Sequence, residues 1–90
     1  LDVRPVAEYE SGHIEGALNI PLKEFDTRKS IVADYQKDKM IIVYCDGAEC
    51  NSSVELAAKL FVDGFTNVKI FFSGWREWTA NQLPTEKSAP

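Results

Sequence analysis

The run Met40-Ile41-Ile42-Val43-Tyr44 limits what this chain can fold into more than any other segment. It is continuously apolar and rich in β-branched residues, with Lys37-Asp38-Lys39 before it and Cys45-Asp46-Gly47 after it. A half-buried strand alternates apolar and polar residues. An uninterrupted run of strand length instead predicts a strand buried on both faces, in the centre of a parallel sheet. Val68-Lys69-Ile70-Phe71-Phe72 is a second strand candidate, and shorter extended pieces are expected over residues 1–3 and 17–20. Between the two clearest strands, Ser53, Leu56, Ala57, Leu60 and Gly64 recur at helical spacing and lay an apolar stripe on one face. Ser52 and Ser53 are the N-cap candidates and Gly64 the residue just past the helix end. Further short helices are expected over 5–10, 30–36 and 74–81. Strand, helix, strand in this order implies a right-handed crossover, hence a small α/β fold with a central parallel sheet flanked by helices.

Composition narrows the function classes. With 44% apolar residues in a chain of 90, one small core is available, near the lower limit for unaided folding. Residues 1–84 read as one domain and 85–90 as a polar, frayed tail. Ten basic against fourteen acidic side chains give a net charge of −4, the wrong sign for a nucleic-acid binder. No apolar run approaches the roughly 20 residues that span a bilayer, so no membrane insertion by this segment is expected. Leu1-Asp2-Val3-Arg4 has neither an apolar signal core nor an initiator Met, so the segment reads as part of a longer chain. The compartment is not written in it, with the cytoplasm favoured over the periplasm. Two cysteines, Cys45 and Cys50, are too few for a disulfide-stapled scaffold.

Ligands of open α/β sheets gather beyond the carboxyl ends of the strands. Here that place is the loop Cys45-Asp46-Gly47-Ala48-Glu49-Cys50-Asn51-Ser52, which ends near the next helix start. A thiol facing backbone N–H groups and a helix N-terminus is pushed toward the thiolate, the nucleophilic form. Cys45 is therefore a candidate nucleophile. Against this stands the simpler reading of a small buried hydrophobe, the commonest role of a free cysteine.

A family resemblance is carried by Asp2-Val3-Arg4, Glu8-Tyr9, Gly12-His13-Ile14-Glu15-Gly16-Ala17 and Asn19-Ile20-Pro21-Leu22, followed by Val43-Tyr44-Cys45. Gly64-Phe65, Ser73-Gly74, Trp78 and Leu83-Pro84 continue it in the same order. The chain resembles rhodanese-like domains. That resemblance implies a small α/β fold and sulfur transfer: Cys45 takes a sulfane sulfur from a donor, holds it as a persulfide cradled by loop amides, and passes it to a thiophilic acceptor. No metal or organic cofactor is implied. The partners would be a small sulfur donor or a persulfide-carrying protein. The family usually has a strand and helix ahead of the Asp-Val-Arg segment, so this chain looks trimmed, with one sheet edge or face left uncovered.

The loop departs from the family pattern. An Arg usually lies five residues after the Cys, directly before a helix-opening Ser. If Ser53 is that Ser, the corresponding position is Ser52, seven residues after Cys45, and the Arg is absent. Asp46 and Glu49 would repel an anionic donor and raise the thiol pKa, which disfavours thiosulfate as the natural donor. The sixth residue after Cys45 is Asn51, so the loop also lacks the arginine clamp of the related phosphatases and arsenate reductases. Cys50 reads first as an incidental loop thiol, and otherwise as a resolving thiol that would discharge a Cys45 persulfide. Two other functions compete with sulfur transfer: a non-catalytic interaction or sensor module, and a Cys45/Cys50 thiol–disulfide switch. His13, between Gly12 and Gly16, reads as a hydrogen-bonded turn residue in preference to a general base. Asp2 and Arg4 read as a structural pair, Trp75 and Trp78 as packing residues, and residues 37–39 as a solvated turn.

Overall fold

The computed structural model describes residues 1–88. Its elements are α1 (Val6–Ser11), β1 (His13–Ile14), a 3-10 turn at Leu22–Glu24, α2 (Phe25–Arg28), a second 3-10 turn at Lys29–Val32, β2 (Ile41–Tyr44), α3 (Ser52–Val62), β3 (Val68–Phe71), α4 (Gly74–Ala80) and β4 (Thr85–Glu86). β2 and β3 pair in parallel with Ile41 opposite Val68 and Tyr44 opposite Phe71. On the other side of β2, the first residues join through parallel bridges of Asp2 to Tyr44 and to Asn19. Their ladder bonds are Val3 N–H to Tyr44 O (3.1 Å), Tyr44 N–H to Leu1 O (2.9 Å), Asp2 N–H to Leu18 O (2.8 Å) and Ile20 N–H to Asp2 O (3.0 Å). The extended pieces expected over 1–3 and 17–20 thus lie side by side, and β2 is flanked on both edges.

α3 covers one face of this sheet. Leu56 and Leu60 are fully buried on it, against Ile41, Val43, Val3 and Ile20. Each such leucine contributes about 1.5–3 kcal/mol of burial. The helix ends as its sequence requires: Gly64 takes a left-handed φ of +100°, its N–H bonds Phe61 O, and Phe65 N–H reaches back to Leu60 O. The start differs from expectation. α3 opens at Ser52 with Asn51 as N-cap, and no side chain there caps the helix. Ser53 is buried in the first turn instead.

Three further expectations are revised. The helix expected over 30–36 is replaced by the winding segment from Leu22 to Val32, whose inward anchors are Phe25 and Val32. Phe25 lies upstream of the stretch that had looked helical, so the burial pattern begins earlier. The tail is not wholly frayed: β4 pairs antiparallel with β1, placing Glu86 opposite His13. Finally, β2 is central but not buried on both faces. Met40 and Ile42 are 57% and 49% exposed, because no layer among the described residues covers that side of the sheet. An open groove of about 690 Å³ runs there, lined by Leu1, Met40, Ile42, Phe71 and Trp78 among others. Among the described residues no helix is long and apolar enough to cross a membrane.

Candidate active site

Cys45 sits one residue beyond β2, at its carboxyl end, and is 5% exposed. The α4 start fixes it from below: Trp75 N–H donates to Cys45 O (2.9 Å) and Arg76 N–H to Asp46 O (2.8 Å). This close approach depends on Gly74, at φ +58°, where a Cβ would lie 2.3 Å from the Cys45 carbonyl oxygen. Only a residue without a side chain fits both the dihedral and the space.

The loop then turns back on itself. Cys50 N–H donates to Gly47 O (3.1 Å), so that amide is spent on the turn and is not free to hold an anion. The sulfurs of Cys45 and Cys50 are joined in a disulfide, with a Cα–Cα distance of 6.2 Å. The reading of Cys50 as an incidental loop thiol gives way to a pairing that five residues of flexible loop permit. Cys50 is half-buried and packs against the apolar core, and Cys45 belongs to that core. Asp46 is half-buried, Gly47 buried, and Ala48, Glu49 and Asn51 are exposed. Ser52, counted with the loop from the sequence, belongs to α3.

Both loop carboxylates have cationic partners from outside the loop. Asp46 Oδ1 is 3.6 Å from Arg4 Nη1, and Glu49 Oε1 accepts a 2.7 Å hydrogen bond from Arg76 Nη1. The Arg76 hydrogen bond holds Glu49 below the usual carboxylate range, and the same contact raises Arg76. The repulsion of anions expected from Asp46 and Glu49 is reduced but not removed: Arg4 is already paired with the buried Asp2, so two guanidinium groups stand against three carboxylates. The loop lacks an arginine of its own, but Arg4 and Arg76 reach it through the fold.

Behind the loop lies a buried polar cluster. The Arg4 guanidinium donates to both Asp2 oxygens (2.8–3.1 Å) and to Gly12 O (2.6 Å). Its Cζ lies 4.7 Å from the centre of a Trp75 ring. Burial works against the Arg4 charge, yet its pKa is raised because the Asp2 carboxylate outweighs that penalty. Tyr44 donates its hydroxyl to Asp2 Oδ2 (2.8 Å), and burial pushes its pKa well above the phenol range. Asn19 Nδ2 donates to the carbonyls of Asp2 and Arg4. Asp2 and Arg4 are thus the structural pair expected, and Arg4 also reaches the loop. His13 is buried away from Cys45: Nδ1 contacts Tyr9 O (2.8 Å), Nε2 contacts Glu86 Oε1 (3.2 Å), and its ring stacks on Tyr9. This matches the hydrogen-bonded role read from its neighbours.

Arg4, Gly74, Trp75 and Arg76 were not read as site residues from the sequence. They come from two ends of the chain, and no local spacing links them to Cys45. The Asp2-Val3-Arg4 and Ser73-Gly74 pieces of the family resemblance were the available signals.

Fold and site together define a small α/β domain with a cysteine at the carboxyl end of its central strand, opening a loop into a helix. The rhodanese-like domain family model matches residues 1–81, and the chain belongs to that family. It is 39% identical over 90 residues to the HTH-type transcriptional regulator Rv0324 of Mycobacterium tuberculosis, of which it spans 38%. It is 32% identical over 95 residues to thiosulfate sulfurtransferase 16, chloroplastic, of Arabidopsis thaliana, spanning 96% of this chain and 78% of that protein. Two of the curated relatives, Rv0324 and senescence-associated protein DIN1 of Raphanus sativus, are matched over only 38% and 51% of their length. Among solved structures, the BH2092 protein of Bacillus halodurans superposes with a TM-score of 0.85 at 32% identity, covering 97% of this chain and 61% of that one. A rhodanese with anions from E. coli superposes with a TM-score of 0.74 at 30% identity, covering 96% and 93%.

Proposed function

We propose that this domain is a sulfurtransferase that carries a sulfane sulfur as a persulfide on Cys45. The observation that carries the reading is the position of Cys45: it closes the central strand and opens the loop that leads into α3. Relatives named as a thiosulfate sulfurtransferase and as a putative sulfur carrier protein, the latter 33% identical over 79 residues, support the same chemistry.

The reaction starts from the reduced loop. The Cys45 thiolate attacks the outer sulfur of a donor persulfide; the donor's S–S bond breaks and its thiolate leaves with the electron pair. Cys45 then bears an S–S⁻ group, which a thiophilic acceptor attacks at the outer sulfur, returning the Cys45 thiolate. This is two-step covalent catalysis on one nucleophile. Arg76 offsets Glu49, whereas Arg4 is shared between Asp2 and Asp46, so the loop keeps a negative charge and a neutral or protein-borne persulfide donor is favoured over thiosulfate.

Reduced, desalted protein mixed with glutathione persulfide tests the reading. Glutathione should appear in stoichiometric amount with the wild type and not with Cys45→Ser. Equal release from both would sink it.

A further inference from the structure

The loop holds a second thiol within bonding reach of the first, and sulfur transfer to an external acceptor makes no use of it. The disulfide places Cys50 Sγ against Cys45 Sγ itself, which is the inner sulfur of a Cys45 persulfide. Attack there differs chemically from attack at the outer sulfur. The outer route hands the sulfur on unchanged, whereas the inner route expels it as hydrosulfide.

We infer that this domain also reduces the sulfur it loads: Cys50 resolves the Cys45 persulfide and releases hydrosulfide. This rests on the Cys45 persulfide proposed above and adds an activity to it. The Cys50 thiolate attacks Cys45 Sγ, the Cys45–Cys50 bond forms, and the bond to the outer sulfur breaks. That sulfur takes up the proton given up by the Cys50 thiol and leaves as HS⁻ with the electron pair. The sulfane sulfur is reduced by two electrons and the two loop thiols are oxidised to the disulfide, so no outside oxidant is needed. A dithiol reductant then exchanges with the loop disulfide, returning both thiols and leaving as its own disulfide. The substrates are a sulfane-sulfur donor and a dithiol, and the products are a thiol, hydrosulfide and the disulfide of the dithiol.

Three features of the loop suit this cycle. Cys50 is delivered from within the loop, already beside Cys45 Sγ, whereas an external thiol must first reach it. The turn that brings Cys50 round is held by its own N–H bond to Gly47 O and by the Glu49–Arg76 pair. Gly47 and Ala48 provide a short, small-residue arc through which the loop can open once Cys50 is released. A sulfur carrier with a single loop thiol has no such internal route.

The experiment follows one turnover without added reductant. Reduced wild type, Cys50→Ser and Cys50→Ala are each mixed with stoichiometric glutathione persulfide, and hydrosulfide and intact mass are measured. The wild type should release about one equivalent of hydrosulfide and lose about 2 Da as the disulfide closes, while both variants keep an adduct of about 32 Da and release none. A wild type that retains the adduct with Cys50 still alkylatable, or that carries the extra sulfur on Cys50, overturns the inference and leaves the sulfurtransferase reading standing. Equal hydrosulfide release by wild type and variants also overturns it, since glutathione would then be the resolving thiol. If no form of the protein takes up sulfur, both readings fall together.

Discussion

Gly74→Ala tests how the loop is held, and its cost can be worked from the structure. The added methyl group would lie 2.3 Å from Cys45 O and 3.0 Å from the Asp46 carbonyl carbon and oxygen, all of them backbone atoms that cannot swing aside. The left-handed φ of +58° adds a conformational penalty of about 1–2 kcal/mol for a residue with a Cβ. Relieving the overlap adds about 1–3 kcal/mol, as for other overpacked sites. The sum, about 2–5 kcal/mol, is a large share of the roughly 5–13 kcal/mol expected for a domain of this size. In urea, with a slope of about 1–2 kcal/mol/M, the midpoint should fall by roughly 1–5 M. Gly16→Ala is the matched control: its φ is +83°, but nothing lies within 4 Å of the added methyl, so only the conformational part should be lost. If the two variants unfold at the same urea concentration, the close approach of α4 to the loop is not what Gly74 secures.

Arg4→Met removes the cation between Asp2 and Asp46 and leaves the fully buried Asp2 carboxylate without its partner. It should cost about 3–5 kcal/mol, and adding Asp2→Asn should restore part of the loss, both read from urea unfolding. An Arg4→Met protein as stable as wild type would show that the pair is dispensable. The Glu49–Arg76 pair should make loop closure pH-dependent. Because Glu49 is lowered in the folded state, its contribution is complete above the ordinary carboxylate value and is lost as the pH falls through the lowered one. Amide exchange of residues 47–50 in the reduced protein, corrected for intrinsic rate, should therefore quicken in acid. Glu49→Gln should show that faster exchange already at neutral pH, and unchanged exchange would refute the link.

Much of the fold was legible in the sequence because its cues are local. The run into Tyr44, the helical stripe through Leu56 and Leu60, and Gly64 at the helix end each act within a few residues, and each stands where expected. The exposure of Met40 and Ile42 was not legible in the strand itself, because an apolar run records what a face can bury and not what covers it. Cys45 was readable as a strand-end thiol. The partners of its loop were not, since Arg4 and Arg76 meet Asp46 and Glu49 only after the first residues and α4 have packed around the end of β2. Charge counted along the loop alone therefore overstated the negative charge at the loop. The Cys45–Cys50 pairing lay between these cases: the spacing allowed it, and only the turn at Gly47 brings the sulfurs together.

The central claim is that sulfur is carried on Cys45. It is tested most directly by peptide-level mass spectrometry of Cys50→Ser after reduction, desalting and exposure to a persulfide donor. The account predicts an adduct of about 32 Da on the peptide containing Cys45, removed by cyanide and absent from the Cys45→Ser, Cys50→Ser double variant. An unmodified Cys45 in folded protein, or an adduct that persists without Cys45, would contradict it.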